Sequence, residues 1–73
     1  MDITVTTIRR GSTGHKVRKA QAILAANFGQ NTSADGNFGP ATEAAVRNVQ
    51  SFFGLTVDGI CGPKTWTILM EIP

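Results

Sequence analysis

The sequence predicts an all-α fold, a small three-helix bundle built from repeated helix-and-loop units, on three observations. The stretch Asp35-Gly36-Asn37-Phe38-Gly39-Pro40-Ala41-Thr42 returns as Asp58-Gly59-Ile60-Cys61-Gly62-Pro63-Lys64-Thr65, with Asp, both Gly, Pro and Thr in the same relative places. Val17-Arg18-Lys19-Ala20-Gln21 aligns with Val46-Arg47-Asn48-Val49-Gln50, and each run is followed by bulky apolar residues and a Phe-Gly close. Between these signals the apolar residues fall at helical spacing rather than in strict alternation.

The first helix is expected over residues 14–28, because Val17, Ala20, Gln21, Leu24 and Phe28 form one stripe while Lys16, Arg18 and Lys19 lie off it. Gly29 follows the last apolar residue, where a left-handed cap ends a helix. A polar loop over residues 30–34 leads to the first Asp-Gly turn. In each turn unit the Asp accepts hydrogen bonds from amides just ahead of it, and the Gly supplies backbone angles closed to other residues. The second Gly of each unit, Gly39 or Gly62, stands at an N-cap. Pro40 or Pro63 fits the first helical position, and Thr42 or Thr65 lies in the first turn.

The second helix therefore opens at Pro40 and runs over residues 40–53, with Ala45, Val46, Val49, Phe52 and Phe53 expected inward and Glu43, Arg47, Asn48 and Ser51 outward. Gly54 caps it. Leu55 and Val57 are expected to re-enter the core before the second turn, and Pro63 opens a third helix over residues 63–71 carrying Trp66, Leu69 and Ile72. Ile3, Val5 and Ile8 alternate with Thr in an extended-looking lead-in.

At 73 residues there is room for one domain, residues 1–73, burying about 60% of its unfolded surface. A charged fraction of 16% argues against disorder and against a coiled coil. No apolar run approaches the roughly 20 residues of a membrane span. Residues 1–10 lack the basic start and apolar stretch of a signal peptide, so any export is expected to be arranged elsewhere. Net charge is only +2, but Arg9, Arg10, His15, Lys16, Arg18 and Lys19 cluster near the start of the first helix. That cluster points to an anionic partner; a solvated helix face is the plainer account.

Several candidate chemistries shrink on inspection. Asp35 and Asp58 could be paired carboxylates, but each precedes a Gly in a turn and reads better as a cap. His15 is the lone histidine and Cys61 the lone cysteine, so no zinc site of several His or Cys ligands, and no internal disulfide, can be assembled. Cys61 holds the place of Phe38 in the second unit and is expected to be buried as an apolar plug. Gln21 and Gln50 fall on inward faces and are expected to hydrogen-bond loop backbone. Trp66 reads as core, with a half-exposed ring at a groove as the functional alternative. No cofactor or metal is expected.

Taken together, Gly11, Gly14, Val17, Gln21, Asp35 to Thr42, Gln50 to Leu55 and Val57 to Trp66 resemble the pattern of the type 1 peptidoglycan-binding domain, a three-helix module attached to many cell-wall hydrolases. The resemblance covers nearly the whole chain. Ala20 stands where that family usually carries Leu, and Val49 where it often places Phe before the Gln. The resemblance implies non-catalytic binding of cell-wall peptidoglycan, glycan or peptide stem, by a monomer at the extracellular cell wall that tethers a linked or partner hydrolase. The expected contact is Arg9, Arg10, His15 and Asn37, with Trp66 as the alternative platform. Asp35, Gly36, Gly39, Pro40, Thr42, Asp58, Gly59, Gly62, Pro63 and Thr65 are expected to build the loops and caps. A protein-interaction or prodomain-type module is the second reading, through Cys61-Gly62-Pro63. A DNA-binding helical domain is the third, and the apolar and acidic run Trp66 to Glu71 argues against nucleic acid.

Overall fold

The computed structural model describes residues 6–71, which leaves Asp2, Ile3, Val5 and the expected Ile72 position on the third helix outside the described residues. Three helices form in order: α1 (His15–Phe28), α2 (Pro40–Phe52) and α3 (Pro63–Glu71), each packed on the other two. Gly14 is the N-cap of α1 and Gly39 that of α2, while Gly29 closes α1 in the left-handed conformation at φ 63°. At the end of α2 the cap residue is Phe53, and Gly54 follows at φ +74° with the Leu55 N–H returning to the Gln50 carbonyl at 2.8 Å. The carbonyls of Gly39 and Gly62 accept the first helical bonds of α2 and α3, from Glu43 and Trp66, both at 2.9 Å.

The core gathers Val17, Ala20 and Leu24 from α1, Ala45, Val46 and Val49 from α2, and Trp66 and Leu69 from α3. Phe38 and Cys61 enter it from the two loops, and Ile8 from the lead-in. The lead-in runs as a strap across both loops. Ile8 and Cys61 exchange backbone hydrogen bonds at 3.1 and 2.8 Å, and farther along Gly11 N–H donates to the Phe38 carbonyl and Phe38 N–H to the Ser12 carbonyl, both at 2.9 Å. These pairings are isolated bridges, and no strand forms among the described residues. They tie together residues that are distant in sequence and satisfy backbone groups the loops could not pair alone.

Two expected core positions are corrected. Phe52 is 81% exposed; although adjacent residues of α2 such as Ala45 and Val46 are both buried, the last turn packs only Phe53 of its two rings against the core. Phe53, one turn beyond Val49, takes the inward side and meets Phe28 edge-on at 5.9 Å between ring centroids. Val57 is exposed as well, so that only Leu55 of that pair is partly buried. Phe28 is packed against the core rather than within it.

Candidate functional site

The loops are held by two buried amides. Gln21 Nε2 donates to Asp35 Oδ1 at 3.1 Å, to the Asn37 carbonyl at 2.9 Å and to Thr42 Oγ1 at 2.9 Å, while its Oε1 accepts from Gly36 N–H at 2.8 Å. Gln50 does the same for the second loop. Its Nε2 reaches Asp58 Oδ1, the Ile60 carbonyl and Thr65 Oγ1 at 2.9, 2.9 and 3.1 Å, and its Oε1 accepts from both Asp58 and Gly59 N–H. Gln21, Thr42, Gln50 and Thr65 are all buried, yet no buried side-chain polar atom among the described residues lacks a partner. The burial of amides and hydroxyls is thereby compensated, as a stable core requires.

Asp35 and Asp58 also accept from the N–H two residues ahead, Asn37 and Ile60, each at 2.9 Å. These backbone bonds, with the glutamine N–H second, hold both carboxyls below the usual carboxylate range. They are charged acceptors locked into turns, which is the opposite of what a general acid needs. Cys61 is fully buried, and desolvation pushes its thiol up to about 12. A thiol so held is a poor nucleophile and a poor metal ligand, the behaviour of a structural buried cysteine. No group of acidic, His and Cys side chains fit to hold a metal ion occurs among the described residues.

The positive residues at the start of α1 do not stay together. Arg10 turns to α2 and pairs with Glu43 at 2.9 Å, and Arg9 lies exposed with its N–H donating to Ser12 Oγ. His15 instead shares a shallow hollow of about 290 Å3 with Asn37, flanked by Arg18, Asp35 and the backbone of Thr13 to Gly14. Of the expected contact residues, therefore, the fold brings His15 and Asn37 to one hollow, which neither Arg9 nor Arg10 lines. Trp66 is 4% exposed, and its Nε1–H donates to the Thr6 carbonyl at 2.8 Å. Its ring is core and offers no half-exposed platform, which corrects that alternative.

Arg18 escaped the expected contact set although the signal was present: it lies three residues after His15, on the same side of α1. A wider hollow of about 550 Å3 lies beside the second loop, lined by Leu55, Asp58, Ile60, Pro63 and Lys64 among others. Nothing in the charge pattern of the sequence marked it.

Comparison with known proteins agrees with this architecture. The profile of the peptidoglycan binding domain matches residues 13–69. The chain is 43% identical over 68 residues to the zinc D-Ala-D-Ala carboxypeptidase of Streptomyces albus G, covering 90% of this chain and 27% of that enzyme. It is 49% identical over 59 residues to the spore cortex-lytic enzyme of Bacillus subtilis (strain 168), covering 80% of this chain and 19% of the enzyme. Among solved structures, the SleB N-terminal domain superposes with a TM-score of 0.87 at 38% identity, covering 96% of both chains. The chain thus spans about a quarter or less of these two enzymes and nearly all of the SleB N-terminal domain. With its profile match, its three helices and its glutamine-held loops, the chain belongs to the peptidoglycan-binding domain family.

Proposed function

We propose that the chain is a non-catalytic wall anchor, a monomer that binds peptidoglycan and holds a linked or partner hydrolase on its substrate at the bacterial cell wall. Two similar helix-and-loop units, the first around Gln21 and the second around Gln50, form its scaffold. The enzymes it resembles act on wall bonds, and the chain corresponds to a small part of each. A weak anchor on a polymer raises the effective concentration of whatever is tethered to it.

The observation that carries the contact is the meeting of His15, Arg18, Asp35 and Asn37 around one hollow, from the start of α1 and the first loop. A cation, an imidazole, a carboxylate and an amide within one rim suit a peptide stem, which presents carboxylates, amides and amines. Arg9 adds positive potential from outside the hollow. Exposed contacts of this kind contribute about 0.2 to 1 kcal/mol each, so single changes are small and a combined change is needed.

The test is sedimentation of the purified domain with insoluble peptidoglycan. A combined His15→Ala, Arg18→Ala, Asn37→Ala variant with an unchanged melt should lose most wall binding at low salt, and wild-type binding by this route should weaken as salt rises. Full binding by the folded variant moves the contact off this hollow.

A further inference from the structure

At the far end of α1 from His15, a groove of about 460 Å3 opens between the ends of α1 and α2. Its floor and wall are Phe28, Phe52 and Phe53. Its rim carries three carboxamides, Asn27, Gln30 and Asn48, and no ionisable side chain lines it. The rings form a chain: Phe53 stands edge-on to Phe28 at 5.9 Å and 81°, and Phe52 edge-on to Phe53 at 5.0 Å and 83°. Phe52 is thus braced by one ring while 81% of its surface faces solvent. Two of the amides are braced too, since Asn48 Nδ2 donates to Gln30 Oε1 at 3.0 Å and Gln30 Nε2 donates to the Phe28 carbonyl at 3.1 Å.

A held aromatic ring beside oriented neutral amides has the chemistry of a carbohydrate site. The C–H face of a sugar ring packs on the aromatic face, and each carboxamide retains donors and acceptors for hydroxyl and N-acyl groups. The volume falls within the range of about 300 to 1,000 Å3 common to ligand sites. The absence of charge disfavours the carboxylate-bearing stem and any polyanion, and the polar rim disfavours a purely apolar protein face. We infer that this groove binds the uncharged, N-acylated sugar backbone of wall glycan, with Phe52 as its platform. The inference rests on the wall binding proposed above and divides the polymer between two places: glycan on the Phe52 groove, peptide stem at the His15 hollow.

The probes are tetra-N-acetylchitotetraose and glycan strands stripped of their peptides with the freed lactyl carboxyls capped as amides, so that neither carries charge, followed by calorimetry and by aromatic NMR shifts. Both should bind with little dependence on salt, and the Phe28, Phe52 and Phe53 ring signals should move. Phe52→Ala, at an exposed position, should leave the melt unchanged and weaken sugar binding about tenfold, the effect of deleting one stacked ring. Phe52→Trp should retain binding. Equal sugar affinity in the wild type and Phe52→Ala, or no sugar binding by a domain that still sediments with intact peptidoglycan, overturns the glycan groove and leaves wall binding standing. So does self-association of the domain that is abolished by Phe52→Ala, with sugar affinity unchanged. Failure of the wild type to bind either the sugars or insoluble peptidoglycan overturns both.

Discussion

Gln50 grips Asp58 at both ends: its Nε2 donates to Asp58 Oδ1 at 2.9 Å while its Oε1 accepts from the backbone N–H of the same residue at 3.1 Å. One buried side chain thereby fixes both the backbone and the carboxylate of the turn, and joins the end of α2 to the start of α3 through Thr65. Gln21 joins α1 to α2 in the same manner through Thr42.

Removing either glutamine amide should therefore be severe. Gln50→Ala strands the buried Gly59 N–H and the Thr65 hydroxyl and leaves a void, at a cost of about 3 kcal/mol given about 1 to 3 kcal/mol for each buried group left unpaired. Chemical denaturation of the single variants checks this. A loss under about 0.5 kcal/mol, the usual range of a surface change, would mean that the loops hold themselves.

Acid should loosen the loops before it affects the core. Asp35 and Asp58 have folded pKa values below their ordinary 3.8, so the unfolded chain takes up their protons first as pH falls. Their stabilisation is fully present above that ordinary value and is lost as pH drops through the folded values. Melting temperature measured from pH 6 downward should fall below about pH 4, and Asp35→Asn with Asp58→Asn should flatten that decline.

The thiol gives the opposite slope. Cys61 keeps its proton up to about 12 in the fold against an ordinary 9.0, so above that ordinary value the unfolded chain releases a proton the native one retains, and stability declines as pH rises. Near neutrality the native protein should react slowly with a thiol reagent and rapidly once unfolded. Rapid labelling without unfolding would show that the Ile8 strap opens readily.

Gly59 and Gly36 should not tolerate alanine equally. Both have positive φ, 74° and 80°, but a Cβ on Gly59 would meet Glu43 Cγ at 3.0 Å and Arg47 Nε at 3.1 Å, whereas on Gly36 the nearest atom is the Gly14 carbonyl oxygen at 3.5 Å. Backbone strain costs each variant roughly 1 to 2 kcal/mol, and Gly59→Ala should melt lower still by displacing α2 side chains. Equal melts would show that Glu43 and Arg47 yield freely.

The local features of this chain were legible in its sequence because each has a local cause. Pro40 and Pro63 start helices by a fixed φ, Gly29 and Gly54 end them by a positive one, and Asp35 and Asp58 turn the chain by accepting from amides two residues ahead. The burial of Cys61 in the place of Phe38 also followed from matching the two turn units. What required the tertiary structure were choices between neighbours and pairings across distance. Periodicity placed both Phe52 and Phe53 inward, and only the packing of α2 against Phe28 decided that Phe53 turns in and Phe52 out. The basic cluster read as one patch, but Arg10 found Glu43 across the fold, while Arg18 joined His15 at the hollow that Asn37 completes. Side-chain directions on one helix follow from its phase, whereas the partner of a long flexible cation depends on which surfaces folding brings within its reach.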